Sequence, residues 1–131
     1  MTAPLTLRVV AAVVARDGAY LVTQRRATAV LPLLWEFPGG RVEAGETDAA
    51  ALRRELRHRL DVDIEPGKLI SFVTHPYEKY SVDLYLYECA LGAGEPRAVN
   101  VADFRWVKSS DFESYPFTPA DERSMSKLLG L

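Results

Sequence analysis

The sequence has very little sulfur, no long apolar run and no strong excess of charge of either sign. A single cysteine, Cys89, stands among 131 residues, so no disulfide is expected within the chain. The main apolar run, residues 9–15, is far shorter than the roughly 20 residues of a membrane-spanning helix, and no signal-peptide cleavage region follows it. Arginine and lysine total 16 against 18 acidic residues, a formal net charge of −2. These absences exclude a disulfide-built scaffold and argue against a membrane protein or a nucleic-acid duplex as partner, and they favour the cytoplasm.

The bulk composition is that of an ordinary globular domain. Hydrophobic residues make up 48% of the chain and charged residues 26%. A chain of 131 residues is long enough for one proper core, so residues 1–131 are predicted to form a single domain. Cys89 lies in a strand-like run and is expected to be a buried core residue. The sequence leaves the oligomeric state open.

Several segments have the residue pattern of β-strands. Asp17-Gly18 stands between two such segments and predicts a hairpin turn. Residues 32–40, which contain Pro38-Gly39-Gly40, are predicted to form a loop. The predicted strands are Leu7–Ala15, Ala19–Gln24, Leu69–Thr74, Ser81–Ala90 and Phe104–Val107.

Two segments predict helices. Thr47 is a suitable cap for a helix that begins at the acidic Asp48 and runs to about Leu60, with an apolar stripe at 3- and 4-residue spacing. Thr118-Pro119 is a good start for a final helix that ends near Gly130. The element order is that of a mixed α/β protein, with few helices and many strands. Periodicity alone does not give its topology.

The most informative segment follows the glycine pair and reads GRVEAGETDAAALRRELRHRLDV over residues 40–62. Carboxylates at positions i, i+3 and i+4 of a helix project to one side and can form a cage for Mg²⁺, which prefers oxygen ligands. Glu55 begins such a set, but positions 58 and 59 hold histidine and arginine. Five residues stand at the spacing of the Nudix box, G-x5-E-x7-R-E-U-x-E-E-x-G-U, where U is a bulky aliphatic residue: Gly40, Glu46, Arg54, Glu55 and Leu56.

The surrounding sequence extends this match along nearly the whole chain. Residues 34–47, LWEFPGGRVEAGET, closely resemble the MutT-like branch of the Nudix hydrolase superfamily, and so do residues 23–26, 104–107 and 117–121. The resemblance implies an α/β/α sandwich around a mixed sheet. It also implies the hydrolysis of a nucleoside triphosphate, or of another nucleoside diphosphate derivative, with Mg²⁺ or Mn²⁺.

The same resemblance implies roles for individual residues. Gly39 would offer a backbone carbonyl and Glu55 a carboxylate to the metal, and Glu46 would pair with Arg54 to brace the loop against the helix. Arg25 would reach the phosphates or the sugar. The base would be bordered by Phe37 and Asp121.

Three departures from the family pattern put the metal in doubt. His58 and Arg59 replace the next two glutamates of the box, and Asn100 stands where the family often has another carboxylate. Positions 55, 58 and 59 would carry a charge of −3 in the family. Here they sum to zero with His58 neutral, and Arg59 has the i+4 spacing for an ion pair with Glu55. Two unit charges about 4 Å apart interact by roughly 1 kcal/mol in water and by several times that near a partly buried surface, so a fixed guanidinium opposes Mg²⁺.

Several alternatives stay open on the sequence alone. Arg59 either forms only a surface pair with Glu55 or contacts phosphate, for which its planar fork of donors is suited. His58 is either a ligand for Mn²⁺ or Zn²⁺ or a solvated helix residue. Asp121 serves as a first-turn acid or as a base reader. The three functional hypotheses are a weakened pyrophosphohydrolase, a nucleotide-binding protein that has lost hydrolysis, and an interaction domain.

Overall fold

The computed structural model describes residues 5–128, which form two four-stranded sheets and two α-helices. The helices are α1 (Asp48–Leu60) and α2 (Pro119–Leu128), and a 3₁₀ helix spans Ser109–Ser114. No helix within these residues has the length and apolar character needed to cross a membrane. The strands are β1 (Leu5–Val13), β2 (Ala15–Arg16), β3 (Ala19–Gln24), β4 (Trp35–Glu36), β5 (Gly39–Arg41), β6 (Ile64–Pro76), β7 (Tyr80–Leu91) and β8 (Asp103–Lys108).

The first sheet is mixed and has the order β5-β1-β7-β6. Its β1 and β7 run parallel, whereas the other neighbours are antiparallel. In the second sheet β3 pairs with β2, β4 and β8. The predicted hairpin joins β2 to β3, and Asp17 and Gly18 both have positive φ angles, 52° and 78°, as a two-residue hairpin turn requires.

Apolar layers cover both faces of the first sheet. Successive residues of β1 alternate between them: Val10 packs in the cluster that contains α1, and Ala11 packs in the cluster that contains α2. The α1 stripe is buried at Leu52, Leu56 and Leu60. The predicted α/β/α arrangement around a mixed sheet is therefore confirmed.

Helix α1 has the predicted bounds, and the reason lies in its two ends. The Thr47 hydroxyl accepts a hydrogen bond from the Ala50 N–H at 3.1 Å. Asp61 ends the helix in the left-handed conformation, with φ 51° and ψ 46°, and its N–H donates to the Arg57 carbonyl. Aspartate thus fills the place where the family pattern has glycine.

The predicted loop over residues 32–40 is wrong in part, because it contains β4 and the start of β5. A Cβ on Gly39 would lie 2.0 Å from the Val10 carbonyl oxygen, so glycine is the residue that lets β5 pair this closely with β1. The strand predicted at Leu69–Thr74 belongs to the longer β6, which is interrupted by register shifts between Pro66 and Ser71. The predicted helix end near Gly130 lies outside the described residues.

Candidate functional site

A cavity of about 410 Å³ opens between the first sheet, β4 and the start of α2. Its apolar wall comes from β1 and β7, and charged side chains line the side nearer α1. Five of the residues singled out in the sequence meet at this larger cavity: Arg25, Phe37, Gly39, Arg59 and Asp121. Glu46, Arg54, Glu55 and His58 lie outside its lining, although Glu55 packs against Gly40, which lines it.

Six charged side chains form a chain of alternating sign beside this cavity. In order they are Glu46, Arg54, Glu55, Arg59, Glu36 and Arg25, and we call them the ion-pair chain. Four of the five links are between 2.6 and 3.0 Å, and the link from Arg59 Nη1 to Glu36 Oε2 is 3.9 Å. Three carboxylates and three guanidinium groups give the chain a net charge of zero.

At its first end the chain braces the loop before α1 against the helix. Arg54 Nε and Nη2 donate to the two carboxylate oxygens of Glu46 at 2.8 and 2.9 Å, and Nη2 also donates to the Arg41 carbonyl at 2.9 Å. The Glu43 N–H donates to the same carboxylate at 3.0 Å. The Arg54 hydrogen bonds, followed by the one from Glu43, lower the pKa of Glu46 to about 2. The Glu46–Arg54 pair implied by the family resemblance is thus present.

In the middle of the chain, Glu55 is held between two arginines. Its side chain is buried, Oε1 accepts from Arg54 Nη1 at 2.6 Å and Oε2 accepts from Arg59 Nε at 2.7 Å. A Cβ on Gly40 would lie 2.4 Å from the Glu55 carboxyl carbon, so the absence of a side chain at Gly40 makes room for this carboxylate. The pair between Glu55 and Arg59 that the spacing predicted is confirmed.

Glu36 is the site residue that the sequence analysis missed. It is the second residue of the short strand β4, accepts from Arg25 Nη1 at 3.0 Å and faces the larger cavity. Burial raises the pKa of Glu36, and the neighbouring cations of Arg25 and Arg59 act in the opposite direction. An acidic residue between Trp35 and Phe37, two large aromatic residues, was the available signal for a buried carboxylate with a partner.

Asp121, in the first turn of α2, also lines the cavity and is buried. Its Oδ1 accepts from the Phe37 N–H at 3.0 Å, and its Oδ2 accepts from the Thr118 hydroxyl at 2.5 Å. Burial and, second to it, the negative charge of Glu36 raise the pKa of Asp121 to about 7. The Phe37 ring packs against Phe112 and Phe117, so this aromatic residue contributes to the core as well as to the cavity wall.

A smaller cavity of about 190 Å³ lies next to the larger one. It is lined by Arg25, Arg26, Ala29, His58, Arg59 and Asn100. Three of these residues, His58, Arg59 and Asn100, occupy the positions where the family pattern has carboxylates. The Asn100 side chain donates to the His58 carbonyl at 2.7 Å, which fixes the two segments together.

The donor set does not fit a magnesium site. Both oxygens of Glu55 already accept from guanidinium groups, and no carboxylate of the part of the chain that the structure describes lines the smaller cavity, which holds His58. Within the described part of the chain, no three histidine, cysteine, aspartate or glutamate side chains come together as metal ligands. Two further acids near Asn100 in the sequence are engaged by arginines: Glu95 by Arg16 at 2.9 Å and Asp103 by Arg105 at 3.2 Å.

Comparison with known proteins agrees with the fold. Residues 9–127 match the model of the NUDIX domain family. The chain is 32% identical over 115 residues to the CTP pyrophosphohydrolase of Escherichia coli K12, covering 88% of this chain and 85% of that protein. It is 35% identical over 114 residues to the putative 8-oxo-dGTP diphosphatase 2 of Mycobacterium tuberculosis H37Rv, covering 86% and 81%.

Solved structures of similar architecture support the same family. The crystal structure of a MutT NUDIX hydrolase from Burkholderia pseudomallei matches with a TM-score of 0.84 at 25% identity, covering 94% of this chain and 98% of that one. The solution structure of the Escherichia coli ORF135 protein matches with a TM-score of 0.82 at 29% identity, covering 98% and 91%. The family match, the sequence relatives and the shared architecture together establish that this chain belongs to the NUDIX domain family, as a MutT-like member.

Proposed function

We propose that this protein is a MutT-like nucleotide pyrophosphohydrolase whose turnover is low. Its substrate would be a nucleoside triphosphate or another nucleoside diphosphate derivative, and water would attack a phosphorus atom to release a nucleoside monophosphate and, from a triphosphate, pyrophosphate. Relatives named for the hydrolysis of CTP and 8-oxo-dGTP support this substrate class. The larger cavity, with an apolar wall and the Arg25 and Arg59 side chains, has the mixed lining that a base and its phosphates require.

The observation that carries the low turnover is the position of Arg59. Its guanidinium donates to Glu55 at 2.7 Å, on the helical face where the family pattern places two more carboxylates. Phosphoryl transfer depends largely on positive charge that orients the phosphate and the attacking water. An arginine supplies charge, but it cannot lower the pKa of a bound water as a metal ion does. The site therefore keeps phosphate affinity and loses most of the chemistry.

A second candidate function is nucleotide binding without hydrolysis. Arg25, Arg26 and Arg59 all line the smaller cavity, and Arg25 and Arg59 also line the larger one. Guanidinium groups bind phosphate oxygens through two parallel hydrogen bonds and need no metal to do so. This arrangement favours a protein that retains a nucleotide in the absence of divalent ions.

The test is a panel of nucleoside triphosphates and nucleoside diphosphate derivatives, assayed with Mg²⁺ and with Mn²⁺. The proteins are the unmodified chain, the double variant His58→Glu/Arg59→Glu, and Arg53→Glu as control. Arg53 lies on the same helix but pairs with Glu65 at the surface, away from both cavities. We expect low turnover in the unmodified protein, a gain of at least about tenfold in the double variant, and no gain in the control.

The outcomes separate the two candidates. Robust Mg²⁺-dependent turnover by the unmodified protein that is lost on Arg59→Glu would refute the low-turnover proposal, since Arg59 would then assist the reaction. Nucleotide binding by calorimetry, with no turnover from either protein under any condition, would favour the binding candidate. Absence of both nucleotide binding and turnover would contradict both and leave the fold as a scaffold for interactions.

A further inference from the structure

The smaller cavity differs from the larger one in the charge that surrounds it. Three arginines, a histidine and an asparagine account for its polar lining, and among the described residues no carboxylate faces it. Arg25 and Arg59 are already compensated, because each belongs to the ion-pair chain, whose charges sum to zero. The positive charge of Arg26 is not neutralised by an ion pair within the described residues.

Arg26 is exposed, and within residues 5–128 its guanidinium has no hydrogen-bond or ion-pair partner. Its backbone carbonyl accepts from the Ala29 N–H at 3.1 Å, so a turn fixes the main chain from which the side chain projects. A free cation at the mouth of a polar cavity leaves the cavity with one unit of positive charge. That charge attracts anions and repels Mg²⁺.

The other two arginines are held in place by the protein. Arg25 Nε donates to the Val30 carbonyl at 2.6 Å, and Arg25 Nη1 donates to Glu36 at 3.0 Å. Arg59 Nε donates to Glu55 at 2.7 Å. Side chains fixed in this way lose little further conformational freedom when they bind a ligand, which favours affinity.

Arg25 and Arg59 line both cavities and stand where the two meet. A ligand with an apolar or aromatic part in the larger cavity could therefore extend past these two arginines toward Arg26. A ligand that pairs with all three guanidinium groups needs several negatively charged oxygens. A polyphosphate supplies more of these oxygens and more negative charge than a monophosphate.

We propose that the smaller cavity is a metal-free seat for the terminal phosphates of the bound nucleotide, with Arg26 as the residue that decides its affinity. This inference rests on the proposed function, since it places the phosphates of the same ligand. The seat would bind phosphates without a divalent ion. Its arginines supply the positive charge that a metal ion supplies in the same region of the family pattern. Arg59, which replaces a carboxylate of the family pattern, and the unpaired Arg26 of the loop between β3 and β4 would thus bind the same phosphates.

Inorganic pyrophosphate is the direct probe, because it reports on the seat without the base. It is titrated by calorimetry into the full chain in the presence of EDTA. We expect measurable binding that weakens with added sodium chloride, since screening reduces exposed electrostatic attraction. We expect Arg26→Gln to weaken the affinity by about tenfold or more and Arg26→Lys to restore part of it, because lysine keeps the charge and loses the fork.

Arg53→Gln is the matched control, since it removes one arginine of helix α1 that lines neither cavity. It should leave pyrophosphate affinity unchanged. Thermal unfolding midpoints of all variants show whether each has folded. Pyrophosphate binding that requires Mg²⁺, or that is equal in the unmodified protein and in folded Arg26→Gln, would overturn the inference.

A parallel titration with a nucleoside triphosphate, in EDTA and with Mg²⁺, distinguishes failure of this inference from failure of the proposed function. A nucleoside triphosphate that binds only with Mg²⁺, and no pyrophosphate binding in EDTA, overturns the metal-free seat and leaves the proposed function standing. Pyrophosphate that binds in EDTA without any nucleotide binding supports the seat and contradicts the proposed function. Binding of both in EDTA, each weakened by Arg26→Gln, supports both.

Discussion

The two halves of helix α1 perform different tasks. The first half, with the loop before it, holds the chain together: Thr47 caps the helix, and Arg54 joins Glu46 and the Arg41 carbonyl. The second half faces the two cavities, and there Arg59 and His58 replace the acids of the family pattern. The ligand-facing half has changed while the bracing half has kept the family residues. In this chain the residues of the motif that brace the structure are therefore retained, whereas two residues at its metal-binding positions are replaced.

The largest expected effect tests how rigid the bracing region is. Gly39→Ala should lower the free energy of unfolding by at least about 4 kcal/mol, because its Cβ would lie 2.0 Å from the backbone oxygen of Val10. Gly40→Ala should cost about 1 kcal/mol, because its Cβ meets the end of the Glu55 side chain, at 2.4 Å, and a side chain can move. Urea unfolding of the two variants measures the difference. Equal losses would show that β5 is free to shift away from β1.

The second prediction compares how a cavity residue, Asp121, and a bracing residue, Glu46, make stability depend on pH. Asp121 has a pKa raised by burial to about 7 from its usual value of 3.8. As the pH rises above about 4, the unfolded chain loses this proton first, so the free energy of unfolding should fall until the folded carboxyl also ionises near pH 7. The total loss should be on the order of 4 kcal/mol, and Asp121→Asn should remove it.

Glu46 in the bracing region should respond in the opposite direction. Its pKa is lowered from 4.5 to about 2 by the hydrogen bonds from Arg54. Its contribution to stability is complete above about pH 4.5 and is lost as the pH falls toward 2, and Glu46→Gln should remove that acid-side loss. Thermal unfolding midpoints between pH 2 and 8 measure both effects. A profile of Asp121→Asn that retains the fall between pH 4 and 7 would assign that fall to other groups.

The smallest predicted effect is the difference in unfolding free energy between removing Arg59, which pairs with a buried carboxylate, and removing Arg53, which pairs at the surface. Arg59→Met should lower the free energy of unfolding by about 1 kcal/mol, because it leaves the buried carboxylate of Glu55 with one cation instead of two. Arg53→Met should change it by less than about 0.5 kcal/mol, since the Arg53–Glu65 pair is exposed on both sides. Chemical unfolding of the two variants provides the comparison. A larger loss from Arg53→Met would contradict the assigned importance of the ion-pair chain.

The sequence predicted those features that depend on neighbours along the chain. The bounds of α1 follow from Thr47 and the apolar stripe, and the Glu55–Arg59 pair follows from its i, i+4 spacing. The turn at Asp17-Gly18 is likewise a local property. The overall architecture needed the family resemblance, because local patterns do not specify that β1 runs parallel to β7 across about 75 residues of chain.

The parts that were missed depend on distant contacts. β4 and β5 are only two and three residues long, and Pro38 and two glycines interrupt any strand pattern there. They exist because β3 and β1 lie beside them. Glu36 joins the site only through Arg25 and the far end of α1. The smaller cavity likewise brings Arg26 to residues 58 and 100, which no spacing along the chain could indicate.

We propose that Arg59 and His58 have converted a binding region for divalent cations into one for anions. Titration with Mn²⁺, followed by electron paramagnetic resonance of the free ion, tests this conversion. The unmodified protein should leave Mn²⁺ free at concentrations where His58→Glu/Arg59→Glu binds one ion, and Arg53→Glu should behave as the unmodified protein does. Binding of one Mn²⁺ by the unmodified protein, as tightly as by the double variant, would contradict the account.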